Sequence, residues 1–161
     1  MSCWVYNIIF LFPHRSFSDQ NMTSYRPTNE DCLMRKVTTP NFCKVCLEAL
    51  WLALLKRLDL IDNIEERCNH NKTKTIDLRL IPLAHLRDNS DALDVKESLT
   101  VRWSKDGQVL EEYTNQTSII VGVIGRYGVD VEFTTEEVKV DVDGFLKARG
   151  ELLVENVDEC L

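Results

Sequence analysis

The fold turns on the stretch from Tyr25 to Cys68, YRPTNEDCLMRKVTTPNFCKVCLEALWLALLKRLDLIDNIEERC. It holds four of the six cysteines and the longest apolar run in the chain. Tyr25 to Asp31 has turn chemistry: Pro27 fixes φ, and Asn29 and Asp31 favour local side-chain hydrogen bonds. Cys32-Leu33-Met34-Arg35 follows as a short buried strand or turn. Thr39 and Pro40 are suited to an N-cap and a first helical position. From Asn41 the pattern is helical, and Val45 to Leu55 is apolar on nearly every side, broken only by Glu48. A helix of that kind is buried on several faces. Farther on, Leu58, Ile61, Ile64 and Cys68 fall on one stripe among charged neighbours. The spacing therefore predicts one long helix from residue 41 to residue 68.

Cysteine geometry follows from that helix. Cys43 and Cys46 share one face of its first turns. Cys68 lies 25 residues beyond Cys43, about 37 Å along a continuous helix at ~1.5 Å per residue. A disulfide needs Cα atoms within ~7 Å. The expected local bridge is then Cys32 to Cys43 or Cys46, and Cys68 is free to meet Cys160. The same length argues against a four-cysteine zinc site built from Cys32, Cys43, Cys46 and Cys68, and no metal site is expected.

Composition sets broad bounds. The 161 residues are 44% hydrophobic and 28% charged, as in ordinary globular chains, with a net charge of -7. No basic cluster exceeds two residues, so a nucleic-acid partner is not expected. Trp4 to Phe12 is apolar but too short to span a bilayer as a helix. Residues 1–24 read as a leader, either a signal peptide or a non-native start, and residues 1–18 are expected to lie outside the folded core. Three glycosylation sequons, at Asn21, Asn71 and Asn115, favour a secreted, disulfide-permissive route.

After the sequon at Asn71 the period changes to alternation. Strands are expected at 76–82, 99–103, 109–113, 118–124, 127–133, 138–142 and 151–154, with Lys105-Asp106-Gly107 as a hairpin turn. In Tyr127 to Phe133, Tyr, Val, Val and Phe face inward against Gly, Asp and Glu. Val101-x-Trp103 before that turn resembles the central strand of immunoglobulin-like domains. The expected fold class is α+β: a Cys-rich turn and one long helix over 25–73, then an Ig-like or fibronectin-like β-sandwich over 74–161.

Catalytic signatures are missing. His14, His70 and His85 are scattered, and no H-E-x-x-H, G-x-S-x-G, P-loop or G-x-G-x-x-G occurs. Asp141-Val142-Asp143-Gly144 reads as a strand turn rather than a calcium loop.

The run Tyr25-Arg26-Pro27, Cys32-Leu33-Met34-Arg35, Phe42-Cys43-x-x-Cys46 resembles the segment that closes the catalytic domain of the IgA-peptidase family of secreted zinc metallopeptidases. In that family the zinc-binding H-E-F-G-H helix comes first, and some members continue into a β-sandwich. The resemblance covers about 45 residues. It implies that Met34 lies beneath the metal and that Tyr25 and Arg26 line the cleft. The zinc helix, its ligands and its general base are absent here, so no catalytic residue and no cofactor is expected in this chain. The expectation is a non-catalytic C-terminal portion of such an enzyme, partnered by the missing catalytic half or another protein. The alternative is a small secreted Ig-like binding module with a disulfide-tied helical arm.

Overall fold

A computed structural model describes residues 12–15, 23–26, 32–34, 37–69, 71–83, 96–157 and 160. The chain forms two compact units, residues 1–51 and 52–161, and the boundary falls within a helix.

In the first unit, β1 (Phe12–Arg15) pairs antiparallel with β2 (Thr23–Arg26), Pro13 opposite Tyr25. Part of the expected leader is therefore in a ladder, and Tyr25 and Arg26 are strand rather than turn. The residue before a proline is pushed toward extended backbone, which suits Arg26 ahead of Pro27. Helix α1 spans Lys44–Leu55. The Cys43 carbonyl accepts the first helical hydrogen bond, from Leu47 N–H at 2.9 Å. Cys43 thus takes the capping position expected of Thr39, and Thr39 and Pro40 belong to the lead-in. That lead-in is held to the preceding turn by Leu33 N–H donating to the Asn41 carbonyl at 2.7 Å.

The long helix is not formed. After Leu55 the last turn tightens, with Arg57 N–H bonding to the Leu54 carbonyl three residues back at 2.9 Å. The Asp59 carboxylate then accepts from Ile61 N–H at 3.1 Å and turns the chain out of the helix. Residues 61–69 become strand β3 (Ile61–Asn69), paired antiparallel with β4 (Thr73–Leu80). A bulge between Ile61 and Asn63 shifts the register. One extra residue reverses the side-chain alternation, so Ile61 and Ile64 both reach the inner side. Their three-residue spacing imitates a helix, and the bulge is why the periodicity misled.

The second unit carries two antiparallel sheets. One has the order β3-β4-β7, with β7 Ser118–Val121. The other has the order β6-β5-β8-β9, from β5 (Glu97–Lys105), β6 (Gln108–Val109), β8 (Gly125–Thr135) and β9 (Lys147–Val154). The sandwich-like part therefore begins at β3, ahead of residue 74. Its core follows strict alternation. Ile76, Leu78, Ile119 and Val121 are buried from the first sheet; Val101, Trp103, Tyr127, Val129, Val131, Phe133 and Val154 are buried from the second. The outer face of β8 and β9 carries cross-strand ion pairs, Glu132 with Lys147 at 3.2 Å and Asp130 with Arg149 at 3.9 Å. These exposed pairs are worth little individually and mark a solvated surface.

Asp106 and Gly107 have φ of 48° and 84° and make the tight turn between β5 and β6. The partner strand is shorter than expected, because residues 111–113 form a 3-10 turn. Residues 138–142 are not a strand. Both Asp141 carboxylate oxygens are engaged, accepting from Phe145 N–H at 2.9 Å and Leu146 N–H at 2.8 Å. This curls the segment into a loop, and Val140 and Val142 are exposed.

Cys68 near the end of β3 is bonded to Cys160, with Cα atoms 5.1 Å apart and a sequence separation of 92. The Cys160 carbonyl also accepts from Lys72 N–H at 3.0 Å in the β3–β4 turn. The pairing agrees with the one expected. The route to it differs, since Cys68 is carried by a strand.

Candidate functional site

Among the described residues, the cluster richest in chemistry is in the first unit. The thiol sulfurs of Cys32, Cys43 and Cys46 lie within 4.8 Å of one another. Cys32 precedes the turn at 33–34 and is buried. Cys43 ends the lead-in, and Cys46 sits one turn into α1. The x-x spacing puts Cys43 and Cys46 on one face, and the Leu33–Asn41 hydrogen bond brings Cys32 across to them. Cys43 N–H donates to Cys32 Sγ at 3.4 Å.

All three are free thiols. The bridge expected from Cys32 to Cys43 or Cys46 is not formed, because the turn gathers three sulfurs at once and singles out no pair. Cys68 is taken up by Cys160 and plays no part.

The thiols of Cys32 and Cys46 are electrostatically unequal. Burial pushes the Cys32 thiol up, but the N–H groups of Cys43 and Met34 and the neighbouring thiols together hold it below its ordinary value. Burial pushes Cys46 up to about 12, helped by its position beside Cys43 and Cys32. Ionisation at Cys32 therefore discourages ionisation at Cys46, as expected of like charges sharing one site. A cation placed among the sulfurs reverses that penalty.

The other expected site residues are spread out. Tyr25 and Arg26 are on β2. Met34 is 74% exposed on the turn after Cys32. Asn71 lies in the β3–β4 turn with φ 76° and is exposed. Asn115 is exposed with φ 61°, and its side-chain oxygen accepts from Val101 N–H at 3.1 Å. Asn21, His70 and His85 lie outside the described residues. The zinc chemistry of the peptidase resemblance does not fit the residues present: three scattered histidines and no H-E-x-x-H cannot supply its ligands or base.

Among the described residues, the sandwich surface carries open depressions. One, over the outer face of β5, β8 and β9, is lined by Thr100, Arg102, Asp130, Glu132, Lys147 and Arg149, largely the residues of the ion-pair ladder. Compared with known family models, curated proteins and solved structures, the chain matches none of them.

Proposed function

We propose that this chain is the non-catalytic C-terminal portion of an IgA-peptidase-like zinc metallopeptidase, a secreted and glycosylated helical arm and β-sandwich that works through a protein partner. The observation that carries this reading is the surface of α1. Leu50 is 45% exposed, and Val45, Leu47, Leu52 and Leu54 are only half-buried. Burying a Leu or Val side chain contributes about 1.5–3 kcal/mol. A helix this apolar fits a protein that packs against a further polypeptide. The Tyr-Arg-Pro and Cys-x-Met-Arg elements ahead of it make the zinc-binding half of such an enzyme the favoured partner.

A peptidase assay tests the non-catalytic part. The purified chain, supplied with Zn2+ and a mixed peptide library, is expected to give no new termini by mass spectrometry. Chelator-sensitive cleavage that follows the chain through purification would overturn it.

The second reading, an independent secreted Ig-like binding module, is favoured by the disulfide. Cys68–Cys160 ties both ends of the sandwich within one unit. Ile120 on β7, with Val123 and Ile124 in the β7–β8 connection, all exposed, would be its contact surface. Retention of partner binding by the full chain carrying charged substitutions at Leu50 and Leu54, with loss on Ile124→Asp, would favour it over the first.

A further inference from the structure

We propose that Cys32, Cys43 and Cys46 form a three-thiolate binding site for a thiophilic d10 cation, Zn2+ or Cu(I). The geometry has the parts such a site needs. Three sulfurs from a turn and a helix start lie within 4.8 Å of one another, close enough to share one ion after small rotations. Metal–sulfur bonds of ~2.3 Å set that requirement. The Cys-x-x-Cys at the start of α1 is a spacing recurrent in structural thiolate sites. Cys32 is buried, while Cys43 and Cys46 are half-buried, so the cluster is shielded yet reachable. The N–H of Cys43 points at Cys32 Sγ, the outer hydrogen bond that orients a thiolate ligand.

The donor set selects the ion. Three soft sulfurs, with no carboxylate or imidazole in the group among the described residues, disfavour Mg2+, Ca2+ and Mn2+. Cu(I) is satisfied by three thiolates. Zn2+ would add a fourth ligand from solvent or from a binding partner. Binding releases the thiol protons, so affinity rises with pH. The ion would lock the 32–34 turn to the start of α1, fixing the helix whose exposed apolar side chains carry the proposed partner contact. The site itself does not depend on that contact.

The test uses the full chain with the Cys68–Cys160 bridge intact, its remaining thiols reduced under anaerobic conditions and freed of metal. Titration with Zn2+ and, separately, Cu(I), each against a chromophoric chelator, is expected to show one ion per chain for at least one of them. Co2+ is expected to give thiolate charge-transfer absorption. Cys46→Ser should weaken binding by roughly 100-fold, as loss of one of three ligands. Cys46→His should keep one ion while its charge-transfer band weakens. Cys3, the remaining cysteine of the chain and no member of the proposed site, is the control: Cys3→Ser should bind like the unaltered chain. Near-ultraviolet circular dichroism of each variant checks that the sandwich is folded. Three results would each overturn the site: no stoichiometric binding of either ion, unchanged affinity in folded Cys46→Ser, or loss of binding in Cys3→Ser. So would peptide mapping that finds a Cys32–Cys43, Cys32–Cys46 or Cys43–Cys46 disulfide in chain purified unreduced in the presence of Zn2+.

Discussion

Gly150 on β9 lies directly across the sandwich from Ile64 on β3: a Cβ built at residue 150 would fall on Ile64 Cδ1. It would also press on Val129 Cγ1 at 3.2 Å and Ile61 Cδ1 at 3.4 Å. The two sheets therefore meet closely at this point, and the bulge that turns Ile61 and Ile64 inward is matched to a residue without a side chain. Gly150→Ala is expected to destabilise the fold by about 1–3 kcal/mol through overpacking, measured by chemical denaturation. In an Ile64→Ala background the same substitution should cost markedly less, because the clashing methyl is gone.

The Cys68–Cys160 bridge closes a loop spanning 92 residues of sequence separation. Restricting so long a loop in the unfolded chain is worth about 2–5 kcal/mol. Cys160→Ser should lower stability by that amount and abolish the mobility difference between reduced and non-reduced unfolded chain. Cys68→Ser should behave alike, since either change removes the same bond.

Trp103 is 1% exposed, and its Nε1–H donates to the Gln116 carbonyl at 2.8 Å. This ties the middle of β5 to the segment before β7. Trp103→Phe keeps an apolar ring but loses that hydrogen bond and leaves a small void, a loss of about 1–3 kcal/mol. Thermal unfolding followed by circular dichroism should register it as a lowered Tm.

Asp77 on β4 accepts from Ser118 on β7 and from Arg67 on β3, bridging all three strands of its sheet. The Ser118 hydroxyl first, and then Arg67, hold its carboxyl below the usual carboxylate value. Its folded pKa is thus lower than its unfolded one, so the stability it adds is present above about pH 4 and is lost as pH falls below that. Asp77→Asn should flatten the acid limb of the stability–pH curve. The effect is small, since the Arg67 partner is solvent-exposed.

Much of the β half was legible because alternation in a half-buried strand has few competing explanations. Tyr127, Val129, Val131 and Phe133 face inward as their spacing implied, and Asp106-Gly107 turns where the dipeptide predicts. The helix from 41 to 68 was half right. Val45 to Leu55 is helical, but Ile61 and Ile64 belong to a bulged strand whose spacing mimics a helical stripe. Only pairing with β4, a long-range event, separates the two cases. Val138 to Val142 failed in the opposite sense: the alternation was present, but the Asp141 carboxylate captured the backbone donors of the following loop. The thiol cluster was partly visible, since Cys43 and Cys46 had to share a face. The approach of Cys32 depends on the Leu33–Asn41 hydrogen bond, which no local pattern announces.

If, as proposed, this chain is the C-terminal portion of a zinc peptidase, the catalytic residues are encoded upstream of it. Full-length sequencing of the transcript tests it most directly. The expected result is an in-frame H-E-x-x-H encoded upstream of Ser24, joined to the Tyr25-Arg26-Pro27 element. A transcript that begins at Met1, together with a secreted protein whose mature N-terminus maps near Asp19, would contradict it.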